Sequence, residues 1–337
     1  MRTIRKTLKN NPATKHFLVF ILRIIQSFIA AGSAVFVVYT FNRLVLTMQR
    51  FELRLLPGQP VWTISGAFLV VMVIYKISPL SKIEGAQCYI DTVNKEKGHF
   101  IFKDTVFKYW ASLFTLGTFG NGGILAPMGR VTAGLNCAVE RKLHKIQKFD
   151  LKIGAISGFA ATIGVIFHAP IAGGFFAVEI LSKANMRYRY LFPALFSSAL
   201  AVYFAKLLHL HPFYRFHIPT KEIPMGYYFY VLLIGMITGI VGRLYNEFYK
   251  LIVSISKRNE KKHLLLEVLI GATSVSLLAF FINPDLMGTS NNLIDQLTHD
   301  VENLRGNLPG SMNMIIVLVI LLIVKMVGNC VTVGSGM

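Results

Sequence analysis

The sequence predicts an all-α, polytopic membrane protein whose helices are in places broken within the membrane. Three observations carry that prediction. Only 15% of the 337 residues are charged and 54% are hydrophobic, and the mean hydropathy is +0.55; a soluble domain carries about a quarter charged residues. Five stretches (17–39, 61–75, 228–240, Leu264–Ile282 and 312–327) approach or exceed the roughly 20 apolar residues that cross hydrocarbon. Third, runs of Gly and Pro interrupt the apolar sequence, above all NGGILAPMGR at 121–130. Broken backbone at membrane depth is tolerated only where it is buried in protein or lines a polar cavity.

The elements follow in order. Residues 1–16 read as a short basic amphipathic lead, and 17–50 as one long tilted span with Arg23 and Gln26 near its start. A turn at 57–60 leads to a second span ending near Tyr75. The stretch 78–98 is too polar to cross lipid, yet Ile83, Ala86, Tyr89, Ile90 and Val93 recur at helical spacing, which predicts a short helix packed on protein. Another helix is expected over 100–114, then the glycine break, then a half-length helix over 131–143. Residues 154–181 are rich in the small side chains that let membrane helices approach closely. They are interrupted at His168-Ala169-Pro170, which predicts a second discontinuous helix. Further spans are expected over 190–208, 226–256, Leu264–Ile282 and 312–327. The polar run GTSNNLI lies within 283–303, and the chain ends in VTVGSGM.

The formal net charge of +19 is distributed in a way that argues for topology rather than nucleic acid. The basic residues cluster beside the spans: Arg2, Arg5, Lys6, Lys9 and Lys15; Arg141, Lys142, Lys145 and Lys148; Lys183, Arg187 and Arg189; Lys257, Arg258, Lys261 and Lys262. Such flanking charge is the expected topogenic signal. It places the N-terminus in the cytoplasm and the chain in the cell (inner) membrane. The first apolar run is too long for a signal peptide and lacks a small-residue cleavage site. Cys88, Cys137 and Cys330 form no CxxC pair, and the histidines show no paired-ligand spacing. No metal, no cofactor and no enzymatic chemistry are expected, since no nucleophile–base pairing is found either.

The glycine break has a specific physical use. A helix that starts in mid-membrane aims up to about four N–H groups without intrahelical partners, and the positive end of its dipole, at one point. That arrangement binds anions without a cationic side chain, and partial charges release an anion more readily than a full lysine charge. The candidate anion-binding groups are the backbones of Gly122, Gly123, Ile124, Leu125, Ala126, Pro127, Met128 and Gly129. The alternative use of these glycines is tight helix crossing. TLGT at 115–118 and TVGS at 332–335 each follow a helix and open toward glycine, as paired breaks do in repeat-built transporters.

These residues resemble the CLC family of chloride channels and proton-coupled chloride exchangers. GGILAP (122–127) is similar to that family's GGxFxP or GREGP segment, and GFAATIGVIFHAPIAGGFFAVEIL (158–181) to its GxAAGxxxxFNAPLAGxxFxxE segment. GTSNNLI resembles a TSGGxNLI-like element, and the terminal TVGSG resembles the approach to GSGGxxGGIFAP. The resemblance implies an inverted-repeat helical bundle, a homodimer in the lipid bilayer, and chloride or another small anion as the transported partner. It divides the chain into a lead (1–16), a first repeat (17–208), a polar connection (209–224) and an incomplete second repeat (225–337).

The departures from the family pattern shape the functional expectation. The GSGIP motif falls where this chain reads SKIEGAQ (81–87), so Ser81 is the candidate side chain there. Glu84, which would oppose an anion, is read as a solvated helix-face charge. The gating glutamate has no counterpart: its place falls at or beside Pro127, and no Asp or Glu lies between Thr118 and Ala138. Arg130 either raises local anion concentration or anchors the interface. Glu179 matches the structural glutamate after the AGxxF segment, while Ile180 replaces the exchangers' inner proton carrier. His168 stands where the family has Asn, and is read as a hydrogen-bonded helix breaker rather than a titrating group. Passive, channel-like anion conduction is therefore expected, ahead of proton-coupled exchange with unusual carriers or a non-conducting scaffold. The sequence stops at Met337, just before a second GGIFAP would begin, so it reads as a fragment or truncated relative without a complete pore.

Overall fold

A computed structural model describes residues 12–55, 59–76, 85–143, 150–182, 187–213, 224–259, 264–299, 308 and 313–335. Most of the basic lead, and Ser81 and Glu84, lie outside these residues. Every regular element among the described residues is helical. The helices are α1 Pro12–Leu55, α2 Gln59–Lys76, α3 Gly85–Asn94, α4 Phe102–Gly117, α5 Leu125–Leu143, α6 Leu151–Phe167, α7 Pro170–Glu179, α8 Leu191–Leu207, α9 Tyr227–Asn259, α10 Leu264–Ile282, α11 Asn291–His299 and α12 Met314–Ser335. Single 3-10 turns occupy Tyr188–Tyr190 and Pro284–Leu286. Among the described residues, four stretches are long and apolar enough to cross a membrane: Val19–Leu55, Tyr188–Leu207, Tyr227–Ile255 and Met314–Gly334.

The chain forms two compact units, interleaved in sequence. The first comprises Met1–Arg43, Ile83–Trp110 and Ile124–Phe213. Its centre is α6, whose residues Ile153–Ile166 are all buried. A helix apolar around its whole circumference must be wrapped by others, and α5, α7 and α8 wrap this one. Small residues permit the close approach: Thr132 Oγ1 of α5 donates to Gly158 O at 3.2 Å and meets the Thr162 hydroxyl, while Ser197 Oγ of α8 donates to Ser157 O at 3.0 Å. Asp150 caps α6, its carboxylate accepting from Lys152 N at 3.1 Å. The helix ends where expected: His168 takes the left-handed conformation with φ of 52°, and Pro170 opens α7 at its first position. Tyr89 of α3 and Phe159 of α6 stack with ring centroids 4.0 Å apart, and Tyr89 Oη donates to Ala177 O of α7 at 2.9 Å.

The second unit comprises Leu44–Lys82, Ala111–Gly123 and Tyr214–Met337. In it α10 packs on α2 through Ala67, Val71, Val268 and Ala272, and α12 packs on both α9 and α10. Phe119, Leu286, Met287, Val317 and Leu321 form a further apolar cluster. Along α9 the apolar side chains point outward, Phe229, Leu232, Ile240 and Leu251 among them. An apolar helix surface of that length belongs in lipid rather than water.

Two of the differences from the expected boundaries bear on the glycine runs. The half-length helix starts at Leu125 rather than at residue 131, because a Pro in the first turn removes only an N–H that has no intrahelical partner there. The TVGS run lies inside α12 rather than after it. The first three residues of TLGT likewise lie in the last turn of α4, with Thr118 just beyond it, and Thr115 and Thr332 each donate a hydroxyl to the carbonyl four residues back, Ala111 O at 3.0 Å and Gly328 O at 2.9 Å.

Candidate anion site at the helix starts

The glycine run 121–130 prepares a helix start. Gly122 and Gly123 are irregular backbone, Gly123 exposed with open space around its Cα, and α5 begins at Leu125. Met128 N donates to Ile124 O at 3.1 Å, which closes the first turn. Pro127 has no N–H, and Gly129 lies inside the helix. Of the candidate residues within α5, Leu125 and Ala126 therefore carry the amides that a helix start leaves without intrahelical acceptors.

A second helix start meets this one. Gly85 opens α3, and a side chain on it would collide with the Ala126 carbonyl and Pro127 N. Gly85 and the Ala126–Pro127 backbone thus lie close together at the N-termini of two helices. Just inside α5, Gly129 leaves room for the Phe159 ring, which in turn stacks on Tyr89 of α3. This Gly129–Phe159–Tyr89 layer keeps the two helix starts at a fixed separation.

The other nominated side chains divide clearly. Arg130 is 3% exposed, and its charge acts on the Cys88 thiol of α3; a guanidinium so placed is part of the first unit's interior rather than an interfacial anchor. Ile180 packs against the first unit's core, and Glu179 is exposed. His168 breaks the helix as expected, but its Nε2 has no hydrogen-bond partner among the described residues, so the expected hydrogen bond is not found at that atom.

The sequence reading missed Lys325. This lysine interrupts the apolar run of α12, and Nζ donates to Leu286 O at 2.9 Å, Gly288 O at 2.9 Å and Asn121 Oδ1 at 3.3 Å. Its three donors are thus matched by three neutral acceptors of the second unit. An ionisable residue inside a membrane span was the available signal.

A family model described as voltage gated chloride channel matches residues 66–337. The chain belongs to the voltage-gated chloride channel family. It is accordingly an integral membrane protein of a family that moves anions. Among solved structures, the chain is similar to a CLC-type fluoride/proton antiporter, with a TM-score of 0.73 and 21% identity over 94% of this chain and 75% of that one. It is also similar to a slow cyanobacterial Cl-/H+ antiporter, with a TM-score of 0.73 and 14% identity over 94% and 73% respectively. No curated protein matches.

Proposed function

We propose that this chain conducts chloride, or another small anion, passively across the membrane, holding it at helix starts rather than on a cationic side chain. The observation that carries this reading is the contact of Gly85, first residue of α3, with the first turn of α5 at Ala126. Two helix N-termini meeting there bring two positive dipole ends to one place, and the amides of Leu125 and Ala126 are donors suited to an anion. Gly122 and Gly123 permit close approach of backbone to ligand, and Ser81 is the side chain that would join them. Passive movement is favoured over proton-coupled exchange by the lack of any Asp or Glu between Thr118 and Ala138, and by Ile180 packing into the core where exchangers carry a proton. The working unit in this reading is a homodimer in the cell membrane with a cytoplasmic N-terminus.

The test is anion movement from liposomes carrying the purified chain. Conduction gives a reversal potential that follows the anion gradient and ignores pH. A potential that shifts with an imposed proton gradient means exchange instead, and no flux from folded protein means a scaffold that keeps only the fold.

A further inference from the structure

At the far end of α5 lies a carboxyl group that the anion site does not use. Glu140 is fully buried. Leu125 to Glu140 is about 22 Å of helix, at about 1.5 Å per residue, so the group is remote from the helix starts. It sits against Gly154, where any side chain would collide with its carboxyl atoms, so the glycine forms the seat. Asn136, one turn earlier on the same helix and also fully buried, donates its Nδ2 to Gly154 O. That bond orients the amide and turns Oδ1 away from Gly154.

The donors and acceptors of this place do not balance. Neither oxygen of Glu140, nor Oδ1 of Asn136, has a hydrogen-bond partner among the described residues. The Gln26 amide of α1 faces the carboxyl and its Nε2 donates to Asp150 O at 3.2 Å, which leaves at most one of its two N–H groups for the two carboxyl oxygens. Among the described residues, the other polar groups nearby are engaged elsewhere. Cys137 Sγ donates to Leu151 O at 3.4 Å, Arg141 donates to Phe100 O, and Asp150 is a second carboxylate, paired with Arg189 at 3.1 Å. Buried polar atoms in native proteins are almost always hydrogen-bonded, and a buried charge without a partner is costly. An ionised carboxylate only accepts, whereas a protonated one has an O–H donor.

We propose that Glu140 is a proton-binding site, occupied at neutral pH, at the base of α5. Water delivers the proton, an O–H bond forms on one carboxyl oxygen, and release returns the proton to water. Entry is short: Lys142 is exposed two residues away, and Asp150 and Arg189 are partly exposed beyond Gln26. Occupancy keeps α5 seated on α6. Release leaves a buried carboxylate among acceptors and loosens the seat.

Infrared spectroscopy of the purified chain reads this directly. Wild-type protein at neutral pH should show a protonated-carboxyl band that is missing in E140Q; taking the difference removes any contribution from Glu52, which is also buried. N136L, which leaves Glu140 in place, should move the same band to the frequency of a weaker hydrogen bond. No band assignable to Glu140 overturns the proposal, and so does a band indifferent to N136L. Glutamine supplies the missing donor, so E140Q should keep its thermal stability as pH rises, where wild type loses it. In liposomes the wild-type flux should fall over that same rise and the E140Q flux should stay level; equal slopes overturn the proposal. The flux arm alone rests on the anion reading. The band without flux in any form removes that reading and keeps the proton site, whereas flux without the band does the reverse.

Discussion

Lys325 Nζ donates to Asn121 Oδ1 across 3.3 Å, joining residues 204 positions apart in the sequence. Asn121 opens the glycine run, and its side chain rests where Gly328, one turn beyond Lys325, presents no side chain of its own. The first residue of NGGILAPMGR is thus a peg held by α12. The same lysine binds the carbonyls of Leu286 and Gly288 ahead of α11, so one side chain ties two irregular segments to one helix.

Removing that side chain should be expensive. K325M leaves two buried carbonyls and an amide oxygen short of a donor, at about 1–3 kcal/mol for each buried group left unsatisfied. Relief from burying the ammonium offsets part of this. We expect a net loss of about 2 kcal/mol or more, and a smaller loss in N121A, which removes one acceptor. Denaturation in detergent measures both. A K325M protein more stable than wild type would sink the clasp and leave the lysine valuable for its charge alone.

The two glycines that shape the helix starts should respond differently to alanine. At Gly129 the obstruction is the ring of Phe159, a side chain that can shift; at Gly85 it is the backbone of Ala126 and Pro127. G129A should cost about 1–3 kcal/mol, the range for overpacking, and F159L should recover much of that in a double-mutant cycle. G85A has no such remedy. It should push α3 and α5 apart and remove anion flux even where the protein still folds. Equal flux in G85A and wild type would break the link between that contact and transport.

How far the sequence foretold these arrangements depended on distance along the chain. The break at His168–Pro170 was legible because an αL residue followed by Pro at the first helical position is a local signature. The bounds of α10, Leu264–Ile282, follow from an apolar run whose only charged residue is Glu267. α5 begins at Leu125 rather than at residue 131 because a helix accepts Pro127 in its first turn. Gly334 likewise lies within a helix: it gives Ile252 room to pack while α12 continues to Ser335. Pairings such as Gly85 with Ala126 or Lys325 with Asn121 have no periodic trace. They arise from the fold, and no local pattern encodes them.

Tyr89 separates ring packing from hydrogen bonding. Y89F keeps the stack on Phe159 and loses the bond from Oη to Ala177 O. The phenolic oxygen is fully buried, and its partner carbonyl also belongs to a helix, so the loss should be about 1 kcal/mol. Y89L removes the stack as well and should cost more, about 2–4 kcal/mol on the scale of large-to-small core changes. Urea unfolding with unchanged slope would report both; similar losses in the two variants would mean that the stack contributes little.

The sharpest test of the helix-start reading changes no charge. A126P deletes one amide donor and places a ring carbon where the N–H pointed, while proline remains compatible with the first turn of a helix. The fold should survive, since Ala126 is the second residue of α5 and its amide has no intrahelical acceptor. A hydrogen bond to a charged group contributes about 1.5–3 kcal/mol, and each 1.4 kcal/mol is about tenfold in affinity. Anion flux or binding should therefore fall by about ten- to a hundredfold in A126P, with stability near wild type. The control is A126V, which keeps the amide and should stay within about threefold on the same scale. If A126P conducts as well as A126V, the amides of α5 do not hold the anion, and the glycine run serves helix packing alone.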